Sequence, residues 1–472
     1  MKSFRFFAMA LFIIASLMTI IVGCKYEVAE PAWYGPQPIS ENVSITGVTP
    51  TQALAGENFI IINGTNLKGA LDSIRIKKYS YYTDSLTHAK DSSLVYDSTF
   101  VHNGIYFNSV QATVLEATST MIKVLRPDIV SDSCVIKIAS DKSTAIVKFS
   151  PYKITAVKEP FGNFTTNVPL HAIALDAVGN MYITDETITI PVSSSNPTYY
   201  LYNLWKVTPG GQKISLGYLA NETPQTQLTK QLLLSDARVS PLDGKLYYLQ
   251  TGVPNSKDVH MVDLNTVPLK DSLWFKQIAV RISFGDFDAN GYFYAGGVKS
   301  GIVVIRPNHS LRIESSYYTA DTILSMRVFN HYVYVATRSG IWRNSVSDTG
   351  HVGASEPVLN YLSTAFASLP LNSISLSADG SKLYIGTNSK NPILIADATS
   401  LPMPIPPNNV DILYKGILPT YCKQLCFGSN VANDDGLYMI SGNIATTTPI
   451  VTPAVNWTVY KIHTGTTGAP YY

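Results

Sequence analysis

The feature that most constrains this chain is a unit that recurs six times beyond about Lys158. Each copy is a polar turn running into an aromatic strand: Asp176-Ala177-Val178-Gly179-Asn180-Met181-Tyr182, Asp243-Gly244-Lys245-Leu246-Tyr247 and Asp288-Ala289-Asn290-Gly291-Tyr292-Phe293-Tyr294 in the first half of the repeat. Asn330-His331-Tyr332-Val333-Tyr334, Asp379-Gly380-Ser381-Lys382-Leu383-Tyr384 and Asp434-Asp435-Gly436-Leu437-Tyr438 follow. The anchoring tyrosines are separated by 65, 47, 40, 50 and 54 residues. A four-stranded sheet with its turns takes about 40 to 50 residues, and sheets repeated at that period close into a ring. The expectation is therefore an all-β chain whose residues 156–472 form a six-bladed β-propeller. A tyrosine present in every unit serves what every unit needs, which is packing between neighbouring sheets: its ring buries a large area while its hydroxyl reaches a partner.

Composition agrees. Only 14% of the 472 residues are charged and 46% are hydrophobic, which excludes a disordered or coiled-coil protein. With 29 Tyr, 30 Gly and 27 Pro the chain is built for strands and turns. A formal charge of +2 without a basic stripe excludes the electrostatic footprint of a nucleic-acid binder. The six units resemble NHL-type propeller repeats, although the fourth lacks the glycine. Residues 148–157 are placed to lend a strand that closes the ring against the last blade.

Ahead of the repeat, Ile45-Thr46-Gly47-Val48-Thr49-Pro50 and Ala55-Gly56-Glu57-Asn58-Phe59-Ile60-Ile61-Ile62-Asn63-Gly64-Thr65-Asn66-Leu67 read as strand, turn, strand, turn. Ile105 to Val114 and Thr118 to Val124, with Pro127 behind them, continue the pattern. Residues 44–155 thus resemble the IPT/TIG family, which implies an immunoglobulin-like β-sandwich acting as a spacer or interaction module. Two departures stand out. Ser109 occupies a turn position usually held by glycine, and an insertion at 68–103, rich in Tyr, Ser and Asp, replaces a brief connection and is expected as a hairpin or long loop. Within it, Asp72-Ser73-Ile74, Asp84-Ser85-Leu86 and Asp97-Ser98-Thr99 resemble the Asp-Ser/Thr-apolar acceptor pattern for O-glycosylation in Bacteroidota, which makes Ser73, Ser85 and Ser98 candidates. Asp-Ser pairs also simply open turns.

The N-terminus carries an address. Lys2 and Arg5 precede an apolar run from Phe6 to Val22, which ends Ile21-Val22-Gly23-Cys24. The order of charge, apolar core and small residue is that of an export signal, and the last four residues resemble the bacterial lipoprotein box. The resemblance implies removal of residues 1–23, lipidation of Cys24 and a Pro-rich tether over 24–43. An uncleaved membrane anchor is the other reading of the same run, and either puts the rest of the chain outside the inner membrane. Cys134, Cys422 and Cys426 are then an odd number, so a complete disulfide framework is excluded. Cys422 and Cys426 stand about 13 Å apart along a strand, too far to bridge, and buried free thiols are expected.

Motifs for chemistry are few. There is no Gly-x-Ser-x-Gly elbow, no His-Glu-x-x-His pair and no phosphate-binding glycine loop. Asp286-Phe287-Asp288-Ala289-Asn290-Gly291 resembles the start of a calcium loop, with Asp286, Asp288 and Asn290 as oxygen ligands, but Gly297 stands where a bidentate glutamate belongs. The same residues fill the turn found in every unit, so calcium and turn chemistry are both open, and no other metal or cofactor is expected. His171, Asp236, Arg238, Asp286, Arg327 and Lys423 fall near the starts of the innermost strands, where a propeller exposes groups to its channel. Trp205, Trp342 and Tyr460 fall at comparable third-strand positions. These aromatics, with Arg238 and Arg327, are candidates for stacking and bonding a sugar; the aromatics serve equally as packing residues.

Two function classes follow. The first is a non-catalytic lipoprotein of the outer membrane, facing the exterior, that binds carbohydrate as an accessory of a TonB-dependent uptake system; lipoproteins of this build resemble such accessories. The second is a propeller enzyme, a lactonase or polysaccharide lyase. A protein-binding scaffold differs from the first only in its ligand. Partners expected are the membrane through lipid, a polysaccharide or an outer-membrane transporter, and no nucleic acid.

Overall fold

A computed structural model describes residues 42–67, 73–83, 90–100, 103–140, 146–164, 167–190, 199–219, 233–251, 258–276, 278–314, 317–428, 434–442 and 457–469. Among them every regular element is a strand, apart from two single-turn 3-10 helices at Tyr361–Ser363 and Pro407–Asn409. Residues 1–41, with Cys24 and the apolar run, lie outside the described residues, as does Ser85.

Before the repeat there are two four-stranded sheets and a hairpin. One sheet takes Ser44–Thr49, Phe59–Thr65, Met121–Leu125 and Val114–Ala117 in that spatial order; the other takes Val147–Ile154, Ser131–Ser140, Asn103–Phe107 and Val110–Gln111. Their apolar residues alternate as a half-buried strand requires: Ile60 and Ile62, Ile122 and Val124, Ile105 and Phe107, and Cys134, Ile136 and Ile138 are all buried. At the turn where Ser109 stands in place of the expected glycine, the left-handed residue is the one before it. Asn108 adopts φ +56, and its side-chain Oδ1 accepts from the Val135 amide at 2.9 Å. Asparagine tolerates the left-handed region because its short polar side chain bonds locally. The insertion forms a hairpin of Ser73–Thr83 and Lys90–Phe100, paired from Ser73 with Phe100 to Thr83 with Lys90. Ser73 and Ser98 lie on its two strands.

From Lys158 onward six four-stranded sheets follow. Their innermost strands are Leu170–Leu175, Leu233–Val239, Phe284–Phe287, Ile323–Phe329, Leu371–Leu376 and Cys422–Phe427. Each is in contact with the next, and the sixth with the first, so the sheets close into a ring: a β-propeller. The closing strand is not the one expected. Val147–Ile154 pairs into the preceding sheet, and Lys158–Phe161 instead forms the outermost strand of the sixth blade, with Lys158 opposite Ile462 and Phe161 opposite Val459. Pro160 within it is tolerated because an outermost strand has one unpaired edge.

All six anchoring tyrosines are buried. In three blades the hydroxyl donates to the turn aspartate of its own blade: Tyr182 to Asp176 at 3.1 Å, Tyr247 to Asp243 at 2.9 Å and Tyr294 to Asp288 at 3.1 Å. The other oxygen of that carboxylate caps the turn, as Asp288 Oδ1 does by accepting from the amides of Asn290 and Tyr292, both at 2.9 Å. Gly291 completes the turn at φ +78, and a Cβ there would also meet Leu242 at 2.2 Å. The fourth blade has neither Asp nor Gly because Asn330 and His331 themselves take φ +47 and +60, a two-residue reverse turn with both centres left-handed. Its Tyr334 lies across the strands from Arg343 instead.

Candidate functional site

The register opposite the tyrosines aligns the six inner strands. Ala174, Arg238, Asp286, Arg327, Ser375 and Cys426 face Tyr182, Tyr247, Tyr294, Tyr334, Tyr384 and Tyr438 in turn. Near the start of five of these strands the register slips by one residue, a β-bulge that leaves one residue without a cross-strand partner and turns it out of the alternation. Three positions before the tyrosine's partner stand His171, Ser235, Ser283, Leu324, Asn372 and Lys423. All six line one cavity of about 570 Å3 at the mouth of the channel. One residue from each blade thus builds the rim.

The cavity is two-sided. Phe284, Val298, Ile323, Leu324 and Leu371 make an apolar arc from the third, fourth and fifth blades, interrupted by the small polar groups of Ser283, Thr322, Ser325, Asn372 and Ser373; the ionisable lining groups, His171, Asp236, Arg238 and Lys423, make with Gln424 a polar arc from the first, second and sixth. On the polar arc, Lys423 Nζ donates to the Leu170 carbonyl at 2.7 Å and approaches His171 Nδ1 at 3.1 Å, while His171 Nε2 stands 3.2 Å from Glu186 Oε2. An amine on one ring nitrogen and a carboxylate on the other select the neutral Nε2–H tautomer, so the chain runs lysine to histidine to glutamate. Burial pushes the His171 pKa down to about 4, with the Lys423 charge acting in the same direction and the bond to Glu186 opposing. Burial likewise pushes the Lys423 amine down to about 7 against the attraction of Glu186. The Trp457 ring closes this side, its centroid 5.2 Å from Lys423 Nζ.

Beneath lies a buried ionic network. Asp236 binds Arg238 Nη1, Arg238 Nε reaches Asp286 Oδ1 at 3.2 Å, and Arg327 Nη1 binds Asp286 Oδ2. Asp286 also accepts from the Val328 amide at 2.8 Å, and Gln424 Nε2 donates to Asp236 at 2.6 Å. Two aspartates and two arginines cancel in charge, which is what makes their burial tolerable. The polar residues at the base of the cavity also join blades. Ser325 Oγ accepts from the Ile374 amide, Ser373 Oγ from Leu425, Gln424 Oε1 from Ile173 and Asp236 Oδ2 from Gly285, each at 3.1 Å and each in the following blade. Ala172 and Phe284 hold the two corresponding positions that lack an acceptor.

Of the residues singled out in the sequence, His171, Asp236, Arg238 and Lys423 line the cavity, while Asp286 and Arg327 are fully buried in the network below. Trp205, Trp342 and Tyr460 do not line it. Trp205 Nε1 donates to Asp185 at 2.7 Å with the Lys213 ammonium 4.5 Å from its ring centroid, and Tyr460 packs on the core between the sixth and first blades. The supposed calcium ligands are engaged elsewhere: Asp286 by the two arginines, Asp288 by its turn and Tyr294. Among the described residues no group of three or more His, Cys, Asp or Glu converges on one point. Cys134, Cys422 and Cys426 are buried, and none forms a disulfide among the described residues. Glu186, Trp457 and Gln424 were not legible as site residues, since a second strand, a strand-entry loop and a bulged strand bring them in.

No protein-family model matches the chain, and no curated protein matches it. Solved structures are similar at low identity. A luciferin-regenerating enzyme aligns with a TM-score of 0.47 at 12% identity, covering 67% of this chain and 98% of that one. A protein of unknown function from Bacteroides thetaiotaomicron aligns at 0.41 and 9%, covering 90% and 99%, and the β-propeller domain of Cps50 (Swd1) at 0.38 and 10%, covering 84% and 99%. The propeller assignment rests on the six closed sheets themselves.

Proposed function

We propose that this protein is a non-catalytic binding lipoprotein of the cell surface, whose propeller captures one end of a glycan, or a small molecule of similar polarity, in the mouth of its channel. The observation that carries this reading is the two-sided cavity of about 570 Å3, a size that encloses a small ligand. Its polar arc supplies hydrogen bonds to hydroxyl or carboxylate groups, and its apolar arc with Trp457 takes the C–H face of a ring. The third-strand aromatics are spent on packing in this account, and the ligand belongs to the channel. The lipoprotein box at Ile21 to Cys24 supports anchoring on an outer-membrane leaflet, and the two sheets before the repeat fit an immunoglobulin-like IPT/TIG spacer. A TonB-dependent transporter is the partner this arrangement suits, and Ser73, Ser85 and Ser98 remain the candidates for glycosylation.

One observation favours a second reading. The Glu186–His171–Lys423 chain is the kind of polar relay that serves proton transfer, so a lactonase or lyase activity on the captured ligand is the alternative. A glycan and small-sugar binding screen with product analysis separates them. Binding that Trp457→Ala weakens, with the ligand recovered intact, supports the binding protein; turnover supports the enzyme; binding indifferent to Trp457→Ala and Asn372→Ala refutes the cavity as the site.

A further inference from the structure

An ordinary lysine is a cation at neutral pH and cannot attack a carbonyl, because its nitrogen lone pair holds a proton. Three conditions change this: desolvation that favours the free amine, room beside the nitrogen for a carbonyl compound, and a neighbouring group that moves protons during loss of water. The rim of the channel brings the three together at one residue. Lys423 owes its place to the bulge between Cys422 and Gln424, which turns its side chain into the cavity. Its nitrogen is held by the Leu170 carbonyl and by His171 Nδ1, beside the Trp457 ring and across from the apolar arc. His171 is in turn backed by Glu186, so a proton acceptor and donor stands 3.1 Å from the amine.

We propose that Lys423 is an imine-forming lysine that takes a small aldehyde or ketone with an apolar body in the channel cavity. The proposal rests on the reading above that the channel cavity is the ligand site, and differs from it in the ligand, a carbonyl compound with an apolar body that is held by a covalent bond. The free amine of Lys423 adds to the carbonyl carbon, forming a C–N bond as the carbonyl π electrons move to oxygen. A proton passes from nitrogen to that oxygen by way of His171, giving a carbinolamine; the nitrogen's remaining proton then follows the same route to the oxygen, which leaves as water, its C–O bond breaking as the C=N bond forms. Amine plus carbonyl gives imine plus one water, with no oxidant or reductant consumed. The low amine pKa of about 7 agrees with this geometry; the charged groups around it are Glu186 from the first blade and Asp236 and Arg238 from the second.

Benzaldehyde is the probe. The full-length protein is incubated with it and cyanoborohydride, which reduces any imine to a stable secondary amine, and every lysine is then quantified by peptide mass spectrometry. Lys423 should be modified roughly tenfold or more faster than the exposed Lys299 at pH 7, since a lysine near pKa 10.4 is almost wholly protonated there. Excess benzyl alcohol, which has the same ring and no carbonyl, should suppress labelling at Lys423 and leave Lys299 unchanged. Labelling of Lys423 no faster than Lys299, while saturation-transfer NMR shows benzyl alcohol bound, overturns the imine and leaves cavity binding standing. Failure of both overturns the imine and the cavity as a site for an apolar carbonyl compound, while the glycan screen decides the polar ligand separately. The measurement needs no variant, so folding does not enter it; Lys423→Met should abolish the cavity label and His171→Gln should slow it.

Discussion

Replacing Asp286 by asparagine tests whether charge balance under the cavity holds the ring together. Asp286 and Arg327 are both 0% exposed, and Asp286 takes Arg238 on one oxygen and Arg327 with the Val328 amide on the other. In the native network Asp236 and Asp286 balance Arg238 and Arg327. Asp286→Asn keeps the shape but leaves two guanidinium groups facing one carboxylate, and its amide nitrogen meets donors. An uncompensated buried charge costs about 3–5 kcal/mol, and at roughly 2–4 °C per kcal/mol for a domain of a few hundred residues the melting temperature should fall by roughly 10 °C. Arg327→Met alone should cost a similar amount by leaving Asp236 and Asp286 to share the single Arg238 guanidinium. The double replacement restores neutrality around the surviving Asp236–Arg238 pair, so it should be more stable than either single variant, with a coupling energy of about 2 kcal/mol or more. Equilibrium urea unfolding followed by tryptophan fluorescence, with calorimetry for the melting temperature, measures all four corners of the cycle. A loss below about 1 kcal/mol in Asp286→Asn, or two effects that simply add, would refute the argument and leave the network as incidental packing.

His171 has a folded pKa of about 4 against 6.5 in the unfolded chain, so the unfolded state binds more protons below pH 6.5 and stability should fall as the pH drops from about 6.5 to 4, by roughly 3 kcal/mol in full; pH-dependent urea midpoints that His171→Gln leaves as steep in this window would contradict it. Bonding to Asp435 raises the His463 pKa, which reverses the sign: its contribution is present below 6.5 and lost as pH rises through the folded value, and His463→Gln should flatten the alkaline side of the profile. Tyr294→Phe should cost about 0.5–1.5 kcal/mol by deleting the bond to Asp288, and Tyr334→Phe should spare its blade's turn, which has no aspartate to serve. Cys24→Ala should abolish incorporation of a palmitate analogue, whereas undiminished labelling would place the lipid elsewhere.

Much of the architecture was legible in the chain because it is local. A turn aspartate, a glycine or asparagine able to take positive φ, and a tyrosine a few residues on are short-range chemistry, so their recurrence counted the blades, and Tyr294 with Asp288 shows why the two residues travel together. The starts of the inner strands could likewise be located, and with them His171, Asp236, Arg238, Asp286, Arg327 and Lys423. What each does was beyond the sequence, because a bulge of one residue exchanges the faces of a strand. The bulges turn His171 and Lys423 into the cavity, whereas Asp286 and Arg327 lie opposite tyrosines in the buried network. Closure also belonged to tertiary structure: Lys158–Phe161 and Val147–Ile154 are both extended segments, and only the partner waiting at Val459 to Ile462 selects the first. His171 and Glu186 come from adjacent strands of the first blade, 15 residues apart, whereas Lys423 comes from the sixth blade, 252 residues from His171. The meeting of Lys423 with that pair is a consequence of the ring closing, which brings the sixth blade against the first and which no spacing in the sequence encodes.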